Sequence, residues 1–317
     1  MERLCPLVLV EGLPFTGKST LSEYIAQQLK LNGYPQQWLP EGAMLKDHFP
    51  HVLATFEDDN LLSEEALWQN WRAFVETVQV APATFVVDSA LSYTAVYRLL
   101  RVDWPPLQIL TWLERLAGLC APLQPRVIHL TGDAEHLAWT SIAERGADWE
   151  KQMVRQTEPT AYQKARGRTG IAGAIQMMAE VQALTSSVLA AGWQSLTLDV
   201  TEGQWPLYQK AVLDFLGVPE VVVTPPDVPL SLLQTYAGTY APVNAEETGS
   251  TLTVQLEGGE LALYGPDIRY GPLIPLSEQR FHLRASGVDI AFTPETGGAR
   301  QLTLFSSDGS ERLFQTV

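Results

Sequence analysis

The stretch "EGLPFTGKSTLSEYIAQQL", residues 11 to 29, gathers two glycines, a lysine and several hydroxyls between an apolar run and a helical pattern. Gly12-Leu-Pro-Phe-Thr-Gly17-Lys18-Ser19 fits the spacing G-x-x-x-x-G-K-[ST], which serves to hold a polyphosphate. The glycines let the main chain turn tightly enough for its N–H groups to converge on an anion. Lys18 would reach the terminal phosphates and the Ser19 hydroxyl would ligate magnesium, while the following helix offers the partial positive charge of its N-terminus. Thr16 and Thr20 flank these positions and complete the expected nucleotide-binding set of Gly12, Thr16, Gly17, Lys18, Ser19 and Thr20. A glycine-rich turn with an incidental lysine is the bland alternative. Context argues against it, because the motif follows "LCPLVLV" and opens a helix with Leu21, Tyr24, Ile25 and Leu29 on one face. ATP and Mg2+ are the ligands this loop leads one to expect.

Such a site needs an acid near the magnesium, usually at the end of another buried strand. Asp88 follows the apolar Phe85-Val86-Val87 and is the candidate, with Ser19, for the metal. Its structural alternative is a helix N-cap for the segment that starts at Ala90. Asp199, ending "SLTLDV", is a weaker rival and reads more simply as a strand-end turn residue.

The elements that would position these groups follow from hydrophobic periodicity. Strands are expected at "LVLV", "YPQQWL", "TFVVD", "RVIHLT" and "SLTLDV", and helices near residues 18–31, 63–79, 90–102, 106–120, 134–155, 173–191 and 205–216. Ser63 before Glu64 and Glu65 is an N-cap with an acidic first turn, and Gly192 and Gly217 stand where helices often stop. Alternating strands and helices imply a parallel sheet covered on both faces, an α/β fold. Composition changes near residue 218, where "GVPEVVVTPPDVPL" reads as an extended linker. Beyond it no lysine occurs, and short alternating segments are separated by "EGGE", "SG", "ETGG" and "SDG". That is an antiparallel meander or small barrel of about seven or eight strands. The expected organisation is an α/β domain over 1–217, a linker over 218–230 and an antiparallel β domain over 231–317.

Composition excludes several classes. A formal net charge of −15 repels nucleic acid. No apolar run approaches the ~18 residues of a membrane span, and the N-terminal run is too short for a secretory signal. Cys5 and Cys120 sit in apolar stretches as buried thiols rather than a disulfide, which suits the cytoplasm. One basic cluster stands out: Arg145, Lys151, Arg155, Lys164, Arg166 and Arg168 within residues 145–168. Its plain reading is a solvated basic face. Its functional reading is a mobile lid, since "TAYQKARGRTGIAG" has no apolar stripe.

In the order of its motifs, residues 4–217 resemble the nucleoside and thymidylate kinase group of P-loop phosphotransferases. Carried on the P-loop, on "DS" at 88–89 and on the basic segment with Arg145-Gly146, the resemblance implies phosphoryl transfer, with Lys18, Asp88 and Arg145 in the catalytic set and Lys151 and Arg155 near the phosphates. Glu41, in "WLPEGAML", matches in position the acid these kinases place beside the acceptor hydroxyl; an exposed loop glutamate is the alternative. Two departures stand against an ordinary deoxynucleoside as acceptor: no arginine separates Asp88 from Ser89, and Ala147 stands where a second lid arginine would. Asp47, His48 and His51 are substrate contacts or surface residues, since nothing completes a metal set. Trp68, Trp71 and Phe74 read as core, although in the related kinases this helix borders the acceptor pocket and a ring would stack on a planar substrate. Residues 57–60, "EDDN", read as a solvated loop, and Arg98 and Arg101 either neutralise an anionic acceptor or face water.

The tail, from "LLQTYAGTYAPV" onward, resembles the small lipocalin-like β domain appended to some serine hydrolases of the β-lactamase-related type. The resemblance brings no catalytic residues. Such a domain would cover the active-site mouth, mediate homodimerisation or bind a ligand in its own cup. The function expected from the whole sequence is a kinase transferring the terminal phosphoryl group of ATP to a small molecule: a nucleoside, a nucleotide or a hydroxylated metabolite. A nucleotide-dependent switch whose β domain binds a partner is the alternative from another class, and a structural protein with a vestigial site is a third.

Overall fold

The chain forms an α/β sheet unit and a closed β-barrel. The computed structural model describes residues 2–55, 62–243, 251–266, 268–284, 286–296, 299–306 and 310–317; the acidic stretch 57–60 lies outside them. By contacts the chain groups into Met1–Ser141 with Glu150–Val221, and Ile142–Trp149 with Val222–Val317.

The first unit is built on β1 (Leu7–Gly12), β2 (Gln36–Leu39), β3 (Thr84–Asp88), β4 (Arg126–Thr131) and β5 (Gln194–Asp199), in the spatial order β2-β3-β1-β4-β5 with every pair parallel. Burial explains why some strands are plain in the sequence. All six residues of β1 and all five of β3 are buried, so they appear as unbroken apolar runs, whereas the edge strands β2 and β5 are partly exposed and mixed in character. Each fully buried Leu or Val of β1 contributes roughly 1.5–3 kcal/mol of transfer free energy.

The helices are α1 (Lys18–Leu31), α2 (Glu41–His48), α3 (Pro50–Ala54), α4 (Glu64–Val80), α5 (Arg98–Arg101), α6 (Pro106–Cys120), α7 (Ala134–Arg145), α8 (Ala147–Thr157), α9 (Ala161–Arg166), α10 (Gly170–Ala190) and α11 (Trp205–Leu216). Leu21, Ile25 and Leu29 bury one face of α1 against the sheet. Tyr24 instead donates its hydroxyl to Glu220, and Gln28 bonds the main chain of Val221 in both directions, so the start of the expected linker is strapped along α1. Ser63 caps α4, accepting from the Ala66 amide at 3.3 Å.

Four expectations change. The helix expected at 90–102 begins as a π-helix over Ala90–Tyr97 and continues as α5. The one expected at 134–155 breaks at Gly146 into α7 and α8. Residues 41–54, which carry no periodic stripe, form α2 and α3. The segment read as a mobile lid folds as α9, capped by Thr160, with Arg166 paired to Asp103 and lying over the Tyr162 ring, and Arg168 donating to the Tyr162 hydroxyl. These partners consume the charge that made the segment look free.

In the second unit α12 (Leu230–Tyr236) precedes β6 (Gly238–Pro242), β7 (Leu252–Glu257), β8 (Glu260–Tyr264), β9 (Arg269–Pro275), β10 (Arg280–Leu283), β11 (Val288–Thr296), β12 (Ala299–Phe305) and β13 (Glu311–Thr316). They close into an antiparallel barrel in the order β10-β11-β12-β13-β6-β7-β8-β9. Alternation sets its inside: Leu252 and Val254 are buried while Thr253 and Gln255 are not. Tyr240, Phe281, Phe292 and Phe314 fill the interior, and Tyr236 of α12 stacks on Phe292 at 4.3 Å. Among the described residues, these side chains pack together in the barrel interior. Both cysteines are buried free thiols, with Cys120 pushed up to about 12 by burial. No described helix is long and apolar enough to cross a membrane.

Candidate active site

The site forms where the C-terminal ends of β1 and β3 meet the first turn of α1. Gly12 sits at φ +150°, and a Cβ there would lie 2.6 Å from both the Leu130 carbonyl oxygen and Thr16 Oγ1. Gly17, at φ +79°, is the left-handed N-cap of α1, and its Cβ would fall 2.3 and 2.7 Å from ring atoms of Trp205. Only glycine fits either position. Between them the loop is tied by Thr16, whose amide and hydroxyl both donate to the Leu13 carbonyl, at 3.1 and 2.9 Å. Lys18 is 5% exposed, and its ammonium donates to the same carbonyl at 3.2 Å. Ser19 and Thr20 follow in the first turn of α1, both half-buried.

Three carboxylates accompany that single ammonium. Glu11 is fully buried and accepts from the Leu91 and Ser92 amides at 2.8 Å each and from Ser92 Oγ at 2.6 Å. Burial pushes its carboxyl up, while these donors and Lys18 pull it back. This contact ties the strand carrying the loop to the N-terminus of the π-helix. Asp88 is 2% exposed, and its Oδ1 has no hydrogen-bond partner among the described residues. A buried oxygen left unmatched in this way suits a metal or hydroxyl ligand. Ser89, directly after it, holds the left-handed conformation at φ 63°, a strain typical of functional sites. Glu41 opens α2, half-buried, and its carboxyl is pushed up to about 7 by desolvation, with Asp88 adding to the rise and Lys18 opposing it.

A cleft opens beside Lys18 and Glu41. Gly12, Leu13 and Pro14 of the loop form one side, Ser89, Ser92, Tyr93 and Tyr97 another, and Gln156, Met178 and Val181 the remainder. The Tyr93 and Tyr97 rings stack at 5.4 Å and 6°.

The structure therefore brings together Gly12, Thr16, Gly17, Lys18, Ser19, Thr20, Glu41 and Asp88. Arg145 instead stacks on Trp149 within the second unit, and Lys151 and Arg155 are exposed on α8 outside the cleft lining. Asp199 accepts from the Thr201 amide at 2.9 Å as a strand-end turn residue. His48 packs edge-on against Phe74 and Phe85, and His51 accepts from the Ser63 amide. Among the described residues no group of three His, Cys, Asp or Glu converges as a metal site. Trp71 and Phe74 are fully buried with Phe49, and Trp68 packs on Trp112, so the aromatic stripe is core and none of it lines the cleft. Arg98 donates to the Val52 carbonyl and Thr55 hydroxyl, and Arg101 to the Gln156 carbonyl and Tyr97 hydroxyl.

Sequence reasoning passed over Glu11, Ser92, Tyr93, Tyr97, Gln156 and Trp205. One signal was present: a glutamate closing an apolar strand must find donors when buried. No family model matches the chain, and no curated protein matches it significantly.

Proposed function

We propose that the chain is an ATP- and magnesium-dependent phosphotransferase acting on a hydroxyl or phosphate of a small molecule. The observation that carries this reading is the loop itself. Two positions that admit only glycine curve the main chain ahead of Lys18, Glu41 lines the cleft beside it, and Asp88, close enough to push the Glu41 carboxyl up, has a buried oxygen with no hydrogen-bond partner among the described residues. Main-chain amides at the start of α1 would bind the polyphosphate, and Lys18 would hold its terminal oxygens. Ser19 and Asp88 would hold the magnesium, which supplies charge neutralisation at the phosphates when bound. Glu41 would orient the acceptor hydroxyl and take its proton on a carboxylate oxygen as the new oxygen–phosphorus bond forms and the bond from the terminal phosphorus to the bridging oxygen breaks, leaving ADP. A carboxyl near 7 is poised for that exchange at neutral pH.

The cleft favours transfer over the nucleotide-switch alternative, since it runs on from the loop and Lys18 to Glu41, Tyr93, Tyr97, Met178 and Val181, and a switch that only hydrolyses needs no such acceptor wall. The test is ADP release from ATP and magnesium across nucleosides, nucleotides, aminoglycosides and other hydroxylated metabolites. Acceptor-dependent release is expected, and Lys18→Ala should abolish it. Release that ignores every acceptor, or that persists in Lys18→Ala, would contradict the assignment.

A further inference from the structure

The composition of the cleft wall restricts the acceptor. Among the described residues lining it, Lys18 is the one cation, and the reading above commits that ammonium to the nucleotide. The wall away from the loop is made of Tyr93, Tyr97, Met178 and Val181, with Ser89, Ser92 and the Gln156 amide as neutral polar groups and Glu41 as the charged one. Arg98 and Arg101 stand behind this wall rather than in it. Arg98 is 1% exposed and bonded to Val52 and Thr55, and Arg101 is bonded to Tyr97 and Gln156.

An anionic acceptor entering this space would shed water from its phosphate or carboxylate and meet a carboxyl instead of an ion-pair partner. Burying an unpaired charge costs several kcal/mol even after relaxation. A neutral molecule faces no such penalty, and apolar surface laid on two tyrosines, a thioether and a valine gains about 25 cal/mol per Å² buried. Methionine sulfur against an aromatic ring adds to this.

We infer that the acceptor is an uncharged molecule with a flat, largely apolar body and one hydroxyl presented to Glu41, rather than a phosphorylated or carboxylated metabolite. This deepens the proposed phosphoryl transfer and rests on it for the commitment of Lys18.

The test uses the full chain saturated with magnesium and a non-hydrolysable ATP analogue. Isosteric pairs differing in charge serve as probes: 4-(hydroxymethyl)benzamide against 4-(hydroxymethyl)benzoate, and 3-(hydroxymethyl)benzamide against 3-(hydroxymethyl)benzoate. Ligand-observed NMR gives the affinities, and ADP release with ATP gives turnover. The neutral member of each pair should bind at least about tenfold more tightly, a difference of about 1.4 kcal/mol. Gln156→Arg, which adds a cation at an exposed position of the lining, should narrow or reverse that gap. Equal or tighter binding of the anionic members to the wild type, or binding of neither member at millimolar concentration, overturns the inference. Binding of the neutral members without any ADP release leaves the pocket assignment standing and removes phosphoryl transfer instead.

Discussion

Glu41 yields a prediction in which stability and activity move in opposite directions. Desolvation pushes its carboxyl from 4.5 to about 7, so the folded protein holds this proton more tightly than the unfolded chain does. At 1.36 kcal/mol per pH unit the difference is about 3 kcal/mol. The sign follows from linkage. The stabilising contribution is complete below pH 4.5, declines as pH rises and is gone once pH has passed about 7. Glu41→Gln keeps a neutral group at every pH and should flatten that decline, so at pH 8 the variant should be more stable than the wild type by up to about 3 kcal/mol. Eight of the nine tryptophans, all but Trp149, lie in the first unit, so urea unfolding followed by tryptophan fluorescence reports mainly on the α/β unit. The same substitution should lower the rate of the chemical step about 10²–10⁴-fold, the usual contribution of a general base. Wild-type kcat/KM should rise with pH through about 7, and Asp88→Asn should move the carboxyl titration downward and Lys18→Met upward, as carbon-13 NMR of labelled glutamate would register. A Glu41 carboxyl titrating near 4.5, indifferent to both neighbours, would refute the reasoning.

Three further outcomes follow from the geometry. Gly17→Ala places a methyl 2.3 Å from the Trp205 ring in a left-handed conformation, and should cost about 2–5 kcal/mol from strain and overpacking; adding Trp205→Ala should recover part of it, whereas additive losses in urea unfolding would separate the two residues. Glu11→Gln sets an amide donor against one of the Leu91 and Ser92 amides, leaving a buried donor unmatched, and should lower stability by about 1–3 kcal/mol and weaken nucleotide binding with it; an unchanged thermal midpoint would count against this tie between loop and π-helix. His129 is buried with neither ring nitrogen bonded among the described residues, and burial pushes it down to about 4, so its contribution holds above pH 6.5 and is lost as pH falls through about 4, about 3 kcal/mol in all; His129→Leu should reduce acid lability, and an unaltered acid transition would place its origin elsewhere.

The sequence made legible what local pattern governs. The loop motif, α1, and the doubly buried β1 and β3 could be read because glycine spacing and unbroken apolar runs need no distant partner. The barrel strands could be read because one face of each is solvated and alternation survives. The β6 segment "GTYAP" is short and ends in proline, so local pattern says little about it, and it becomes a strand by pairing with β7 and β13. The site was legible only on its phosphate side. Glu11 finds its partners some eighty positions away, and a tyrosine pair on a π-turn has no helical stripe to betray it. The basic segment misled because its charges are answered at long range, Arg166 by Asp103 and Arg168 by the Tyr162 hydroxyl.

The central claim is that the Gly12–Lys18 loop binds a nucleoside triphosphate. Isothermal titration of the folded 317-residue chain with ATP in excess magnesium tests it most directly. One site per chain is expected, with affinity falling at least about tenfold, roughly 1.4 kcal/mol, in Lys18→Ala of unchanged circular dichroism. No heat of binding from either ATP or GTP, or equal affinity in wild type and Lys18→Ala, would contradict the account.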